Sequence, residues 1–170
     1  MTEMETRTPA AHVPTIAAVL KAEYFPMGER AALKRMALDG PAPLAFHRFM
    51  LRHVDAPWHA EAWAPEWRTL ICALAIQRDG GFDPSKPLGQ ALAEVRFSEH
   101  RLERLLAATG ETLRSLALRA ARQVAAKGIA ADWGQLAKLL FSRDPERREA
   151  INRRIARDYY RTAQSQHREE

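Results

Sequence analysis

The sequence predicts an all-α protein, and three observations carry that reading. Aliphatic residues recur three or four positions apart, as in Leu102, Leu105, Leu106, Leu113, Leu116, Leu136, Leu140, Ile151 and Ile155. That period places them on one stripe of a helix. Alanine and leucine dominate the apolar residues while valine and isoleucine are scarce, which favours helices over strands. Glycines, prolines and capping residues punctuate the periodic stretches at helix-length intervals.

Taken in order, residues 1–10 are expected to fray, and a first helix runs from Thr15 to Tyr24, ended by Pro26 and Gly28. A second covers Glu29 to Leu38 and stops at Asp39-Gly40-Pro41-Ala42-Pro43. A third spans Leu44 to His53. Pro57 breaks the pattern, and Pro65 occupies the first turn of a helix reaching Arg78, with Trp63, Trp67, Leu70, Ile71 and Leu74 at helix spacing. The segment Asp79 to Pro87 is the clearest loop in the chain. It divides an N-terminal helical half (1–78) from a C-terminal half (88–170), so the expected architecture is two small helical bundles packed together in an elongated fold.

Leu88 to Val95 is a short helix, and Ser98 is the cap of the next, which ends at Thr109-Gly110 with glycine left-handed. Glu111 to Lys127 is longer and ends at Gly128. Asp132 with Gln135 has the form of a capping box, opening a helix through Phe141. Asp144-Pro145 starts a last helix, aspartate as cap and proline in the first turn, running to Thr162 before a polar tail. No internal repeat is present.

Composition bounds the function. A chain of 170 residues, 46% hydrophobic, can bury a core of one domain or two small halves. The formal net charge is +5 and the sequence pI is near 9.8, which favours acidic partners. Arginine outnumbers lysine, and its planar fork engages two phosphate oxygens at once. Cys72 is the single cysteine. It lies in the apolar run Leu70 to Leu74, a small buried hydrophobe with no disulfide or cysteine metal cluster to join. Met1 to Arg7 is polar without a following apolar stretch, and no run reaches the roughly 18 residues that span a membrane. The expected location is the cytoplasm.

No catalytic constellation emerges. The six histidines, His12, His47, His53, His59, His100 and His167, form no helix-face metal pair. There is no glycine-rich phosphate loop, no Gly-x-Ser-x-Gly, and no base evident beside Ser98, Ser115 or Ser142. No cofactor and no metal site are expected. A helical hydrolase would need carboxylates or histidines to converge in the fold.

The basic pairs are the stronger signal. Arg30 and Lys34 are one turn apart with Arg35 beside them, Arg48 and Arg52 are one turn apart, Arg101 and Arg104 share a face, and so do Arg119 and Arg122. Arg143 follows the helix ending at Phe141. Packed helices can align such pairs into a track that binds phosphate without reading sequence. Trp58, Trp63, Trp67 and Trp133 fall at apolar positions, so core packing is expected for them rather than base stacking. The nucleic-acid candidates are Arg30, Lys34, Arg35, Arg101, Arg104, Arg119, Arg122 and Arg143. The competing class is a helical protein-interaction scaffold whose arginines meet acidic partner proteins.

Several strings occur in a characteristic order: Gly28-Glu29-Arg30-Ala31-Ala32-Leu33-Lys34-Arg35, Phe46-His47-Arg48-Phe49-Met50, Pro87-Leu88-Gly89-Gln90-Ala91-Leu92, Ser98-Glu99-His100-Arg101-Leu102-Glu103-Arg104, Asp132-Trp133-Gly134-Gln135-Leu136 and Arg154-Ile155-Ala156-Arg157-Asp158-Tyr159-Tyr160. In this order and spacing the chain, over residues 15–161, resembles the CasB family, the small subunit of the type I-E CRISPR effector Cascade. The resemblance implies a non-catalytic helical subunit, present in two copies. Its partners would be the backbone subunits, the large subunit and the crRNA-guided complex, and its basic surfaces would hold the target and displaced DNA strands. Such a subunit needs backbone affinity alone, because guide pairing reads the sequence. By position, Lys34-Arg35, Arg101, Arg122 and Arg143 match basic positions of the family, and Trp133 and Tyr159-Tyr160 match structural ones. Gln90 stands where members often have arginine, and Ile155 where many have tryptophan.

Overall fold

The structure is a computed structural model that describes residues 5–170. Of the stretch expected to fray, residues 1–4 lie outside the described part. The first helix nevertheless begins earlier than expected: α1 spans Pro9–Lys21. Thr8 caps it, its hydroxyl accepting from the Ala11 amide at 3.2 Å, and Pro9 fills the first turn, where no amide partner is needed.

The second helix, α2, is Met27–Lys34, shorter than the expected stretch to Leu38. A buried arginine competes for the chain at this point. Arg68 donates to the carbonyls of Gly40 at 2.7 Å, Ala37 at 2.5 Å and Asp39 at 3.1 Å. Those carbonyls face a charged donor instead of continuing a helix. The third helix, α3, is Leu44–His53 as expected. Two short 3₁₀ turns, Ala56–His59 and Glu61–Trp63, carry the chain past Pro57 into α4, Ala64–Ala75.

Beyond the 79–87 segment come α5 (Leu88–Glu94), α6 (Glu99–Ala107) and α7 (Gly110–Ala126). They are followed by α8 (Trp133–Phe141) and α9 (Pro145–Glu169). Ser98 caps α6 through Arg101 N–H at 3.2 Å, and Gly110, the first residue of α7, takes a φ of +57°. Asp132 caps α8 by accepting from Gly134, but Gln135 does not close the expected capping box. Its Oε1 accepts from the Leu88 amide at 2.7 Å instead, tying the start of α8 to the start of α5. The final helix continues past Thr162 because its last turns have partners: Ala163 packs on the core, and Gln166 donates to the Ala93 carbonyl at 3.2 Å.

The protein is all-α; among the described residues the sole β pairing is an isolated bridge between Phe82 and Ala131. Asp83 N–H donates to Ala131 O and Ala131 N–H to Gly81 O, both at 3.1 Å, and the Trp133 indole also donates to Gly81 O at 2.8 Å. The expected loop is therefore fastened to the entry of α8. Helix α1 packs on α8, and α4 packs on α7. One apolar cluster runs from Val13 to Tyr159, with Trp67 and Trp133 fully buried in it. Helix α5 lies along α9 at a closeness that glycine permits: a Cβ on Gly89 would stand 2.2 Å from the Ile155 carbonyl oxygen.

Candidate nucleic-acid interface

Two neighbouring grooves on α7 collect four of the eight candidate cations, Arg101, Arg104, Arg119 and Arg122. The first, of about 480 Å³, lies between α7 and the chain that follows α2. Met36 to Asp39 form one wall, and Arg114, Arg119 and Arg122 belong to the other. The second, of about 360 Å³, lies between α6 and α7 and is lined by Arg101, Arg104 and Arg119 with Phe97, Leu116 and Gln123. Arg119 belongs to both. Helical geometry explains the grouping: Arg119 and Arg122 are three apart on α7, and Arg101 and Arg104 three apart on α6.

The guanidinium groups are held open to solvent in different ways. Arg101 donates to the Gln123 side-chain oxygen at 3.1 Å, while Gln123 donates onward to the Val95 carbonyl at 3.1 Å. Arg104, Arg119 and Arg122 are exposed and have no ion pair among the described residues. Burial pushes the Cys72 thiol up, and the positive charge of Arg122 opposes that shift. Cys72 in turn donates to the Lys34 carbonyl at 3.5 Å, so Arg122 sits close to where α2 ends.

At α2 itself, Lys34 and Arg35 are exposed and without ion pairs among the described residues, while Arg30 is half-buried with its Nε shielded and unbonded. Lys21, which the sequence reading passed over, belongs with them. Burial lowers its pKa and the positive charges of Arg30 and Lys34 lower it further, while Asp79 opposes. Its ammonium donates to the Gln77 carbonyl. Arg48, by contrast, is bound to Glu29 at 3.0 Å.

Arg143 stands apart from the grooves. Its guanidinium lies 3.9 Å from the centroid of the Trp63 ring, donates to the Ala62 carbonyl at 3.2 Å and reaches Glu66 at 4.0 Å. Glu66 is buried and also holds Arg114 at 3.5 Å, which leaves Arg114 between a carboxylate and the first groove. Arg114 was legible in principle, one turn before Leu118 and two before Arg122. Arg68 and Arg148 carried no such signal. Both turn inward, Arg148 to the carbonyls of Leu105, Leu106 and Ala108 at the end of α6, where a cation also meets the negative end of the helix dipole.

The tryptophans divide. Trp67 and Trp133 are core, whereas Trp58 and Trp63 are half-buried and meet Phe141 at ring-centroid distances of 5.9 and 5.6 Å. Tyr159 is buried with its hydroxyl donating to the Phe97 carbonyl, while Tyr160 remains 43% exposed. His12 is fully buried: Nδ1–H donates to Thr8 O at 2.7 Å and Nε2 accepts from the Asp55 amide at 3.1 Å. Among the described residues, no three His, Cys, Asp or Glu side chains are grouped to hold a metal ion, and no helix is long and apolar enough to cross a membrane.

Fold and surface together define a basic, all-helical protein with two arginine-lined grooves along one long helix. Residues 29–160 match the family described as CRISPR-associated protein Cse2, and the chain belongs to that family, the small-subunit family its sequence strings resemble. Two solved structures share the fold. A chain of a CRISPR RNA-guided surveillance complex is similar with a TM-score of 0.71 and 23% identity, over 94% of this chain and 98% of that one. A chain of such a complex described as pre-nicking is similar with a TM-score of 0.69 and 21% identity, over the same shares. Curated proteins give no match.

Proposed function

We propose that this protein is the small subunit of a type I-E Cascade complex. It stabilises crRNA-guided DNA binding and the R-loop through sequence-independent contacts to strand backbones, and performs no reaction of its own. The observation that supports this reading is the pair of adjoining arginine grooves with Arg119 common to both. Convergent, solvent-facing guanidinium groups attract phosphate and read no base identity unless they reach base edges. Its partners in this reading are the backbone subunit, the large subunit, the crRNA and a second copy of itself, with the target and displaced strands on the basic face, in the cytoplasm. In this reading Arg30, Lys34, Arg35, Arg101, Arg104, Arg119 and Arg122 contact the strand backbones. Arg143 stands apart from them, its charge already shared with Trp63 and Glu66.

The test is DNA retention as a function of salt. Lys34→Ala with Arg35→Ala, and separately Arg119→Ala, should weaken binding and reduce the log–log salt slope by about one unit per lost phosphate contact. An unchanged slope in folded variants would remove those residues from the interface. Random single-stranded DNA and heparin should both compete. Competition by neither would favour acidic partner proteins as the ligands of these arginines.

A further inference from the structure

The groove between α6 and α7 is built differently from its neighbour. The neighbouring groove mixes its three arginines with the carboxylates of Asp39 and Glu111, which lower its positive charge. Among the described residues, no carboxylate lines the α6–α7 groove. Its apolar part is Phe97, 5% exposed, and half-buried Leu116; Arg101, Arg104 and Arg119 surround it. At about 360 Å³ it lies at the small end of ligand-site volumes.

We propose, building on the nucleic-acid reading above, that this groove takes a single unstacked nucleobase of a bound strand. The base lies against Phe97 and Leu116 while Arg101, Arg104 and Arg119 hold the phosphates on either side. Three features carry the inference. An apolar bottom beneath a cationic rim matches one nucleotide, whose base has an uncharged face and whose backbone is anionic. Arginine planes also stack on bases, so the rim serves both parts of the ligand. The one uncharged polar side chain present, Gln123, already accepts from Arg101 and donates to the Val95 carbonyl. Both polar atoms of that amide are already engaged by the protein, so the pocket selects for an unpaired base more strongly than for its identity. A duplex, whose bases are stacked and paired, cannot fill it.

The experiment uses the full chain and two single strands of about ten nucleotides, one intact and one abasic at every position, compared over a salt series. The intact strand should bind roughly tenfold tighter or more, with the same salt slope for both, because their phosphates are equal. Leu116→Trp, which fills the pocket, should bring the intact strand down to the abasic affinity while leaving the slope unaltered. Equal affinity of the two strands for the native protein overturns the base pocket and leaves the electrostatic reading standing. So does an advantage of the intact strand that persists in folded Leu116→Trp protein. Absence of salt-dependent binding to either strand overturns both.

Discussion

Arg68 directs its charge inward, to the three carbonyls that shape the turn after α2. That turn is a wall of the first arginine groove, so a buried residue helps set the form of the surface. Arg68→Met keeps the packing volume but leaves those carbonyls without a charged donor. Its expected cost is about 3 kcal/mol, measured by denaturant unfolding, and a loss below about 1 kcal/mol would mean that the turn holds its form unaided. Asp55 makes a second residue-scale case. Its carboxylate meets the Arg7 guanidinium at 2.9 Å and Arg7 N–H at 2.9 Å, which hold it well below the ordinary carboxylate range against the opposing effect of burial. A carboxylate depressed by folding contributes stability above its unfolded pKa of about 3.9 and loses it as pH falls toward the folded value. Asp55→Asn should therefore flatten the decline of stability below about pH 4, and an acid limb identical to that of the native protein would exclude the pair as its cause.

Among the elements described, the contact of α5 with α9 is the most extensive. Leu88, Ala91 and Leu92 are buried along α5, and Ile155 and Tyr159 along α9. Gly89 allows the approach: a Cβ there would also stand 2.8 Å from the Tyr159 amide nitrogen. Backbone cannot yield as a side-chain tip can, so Gly89→Ala must push the helices apart. The expected penalty is about 3 kcal/mol, equivalent to a fall in Tm of roughly 6–12 °C, read by calorimetry. A Tm within about 2 °C of the native value would show that α9 shifts freely. The cations are an element-scale matter as well. Spacing of three along α6 and α7 was visible in the sequence, so Arg101 with Arg104 and Arg119 with Arg122 could be paired from the chain alone. Arg143 could not be placed that way, because its partners Trp63 and Glu66 lie some eighty residues earlier and meet it only through the packing of α4 near the end of α8.

For the whole molecule, we propose that residues 1–78 and 88–170 are halves of one cooperative unit. The apolar cluster passes from α1 to α8 and from α4 to α7, and the 79–87 segment is bonded to the entry of α8 rather than left free. Neither half covers its apolar face alone. Tryptophan fluorescence, which reports Trp58, Trp63 and Trp67 in one half and Trp133 in the other, should follow the same single denaturant transition as far-ultraviolet circular dichroism. Separated midpoints would show that the halves unfold independently.

What the amino-acid order determined by itself is local. The periodicity of the aliphatic residues, the caps Ser98, Asp132 and Asp144, and the breaks at Pro57, Asp79 to Pro87 and Gly128 act within a few residues of the chain, and they fixed the helical class and most boundaries. Apart from the early start of α1, which its own cap Thr8 sets, the deciding contact is distant where expectation and structure part. Arg68 ends α2 early, Leu88 takes Gln135 from its capping box, and Ala93 receives Gln166 and draws α9 onward. The tertiary structure alone decided which arginines face outward together and which cap carbonyls or meet a carboxylate. Buried Arg68 and exposed Arg119 both lie in apolar helical runs, and only the packing of remote helices supplies or withholds their partners.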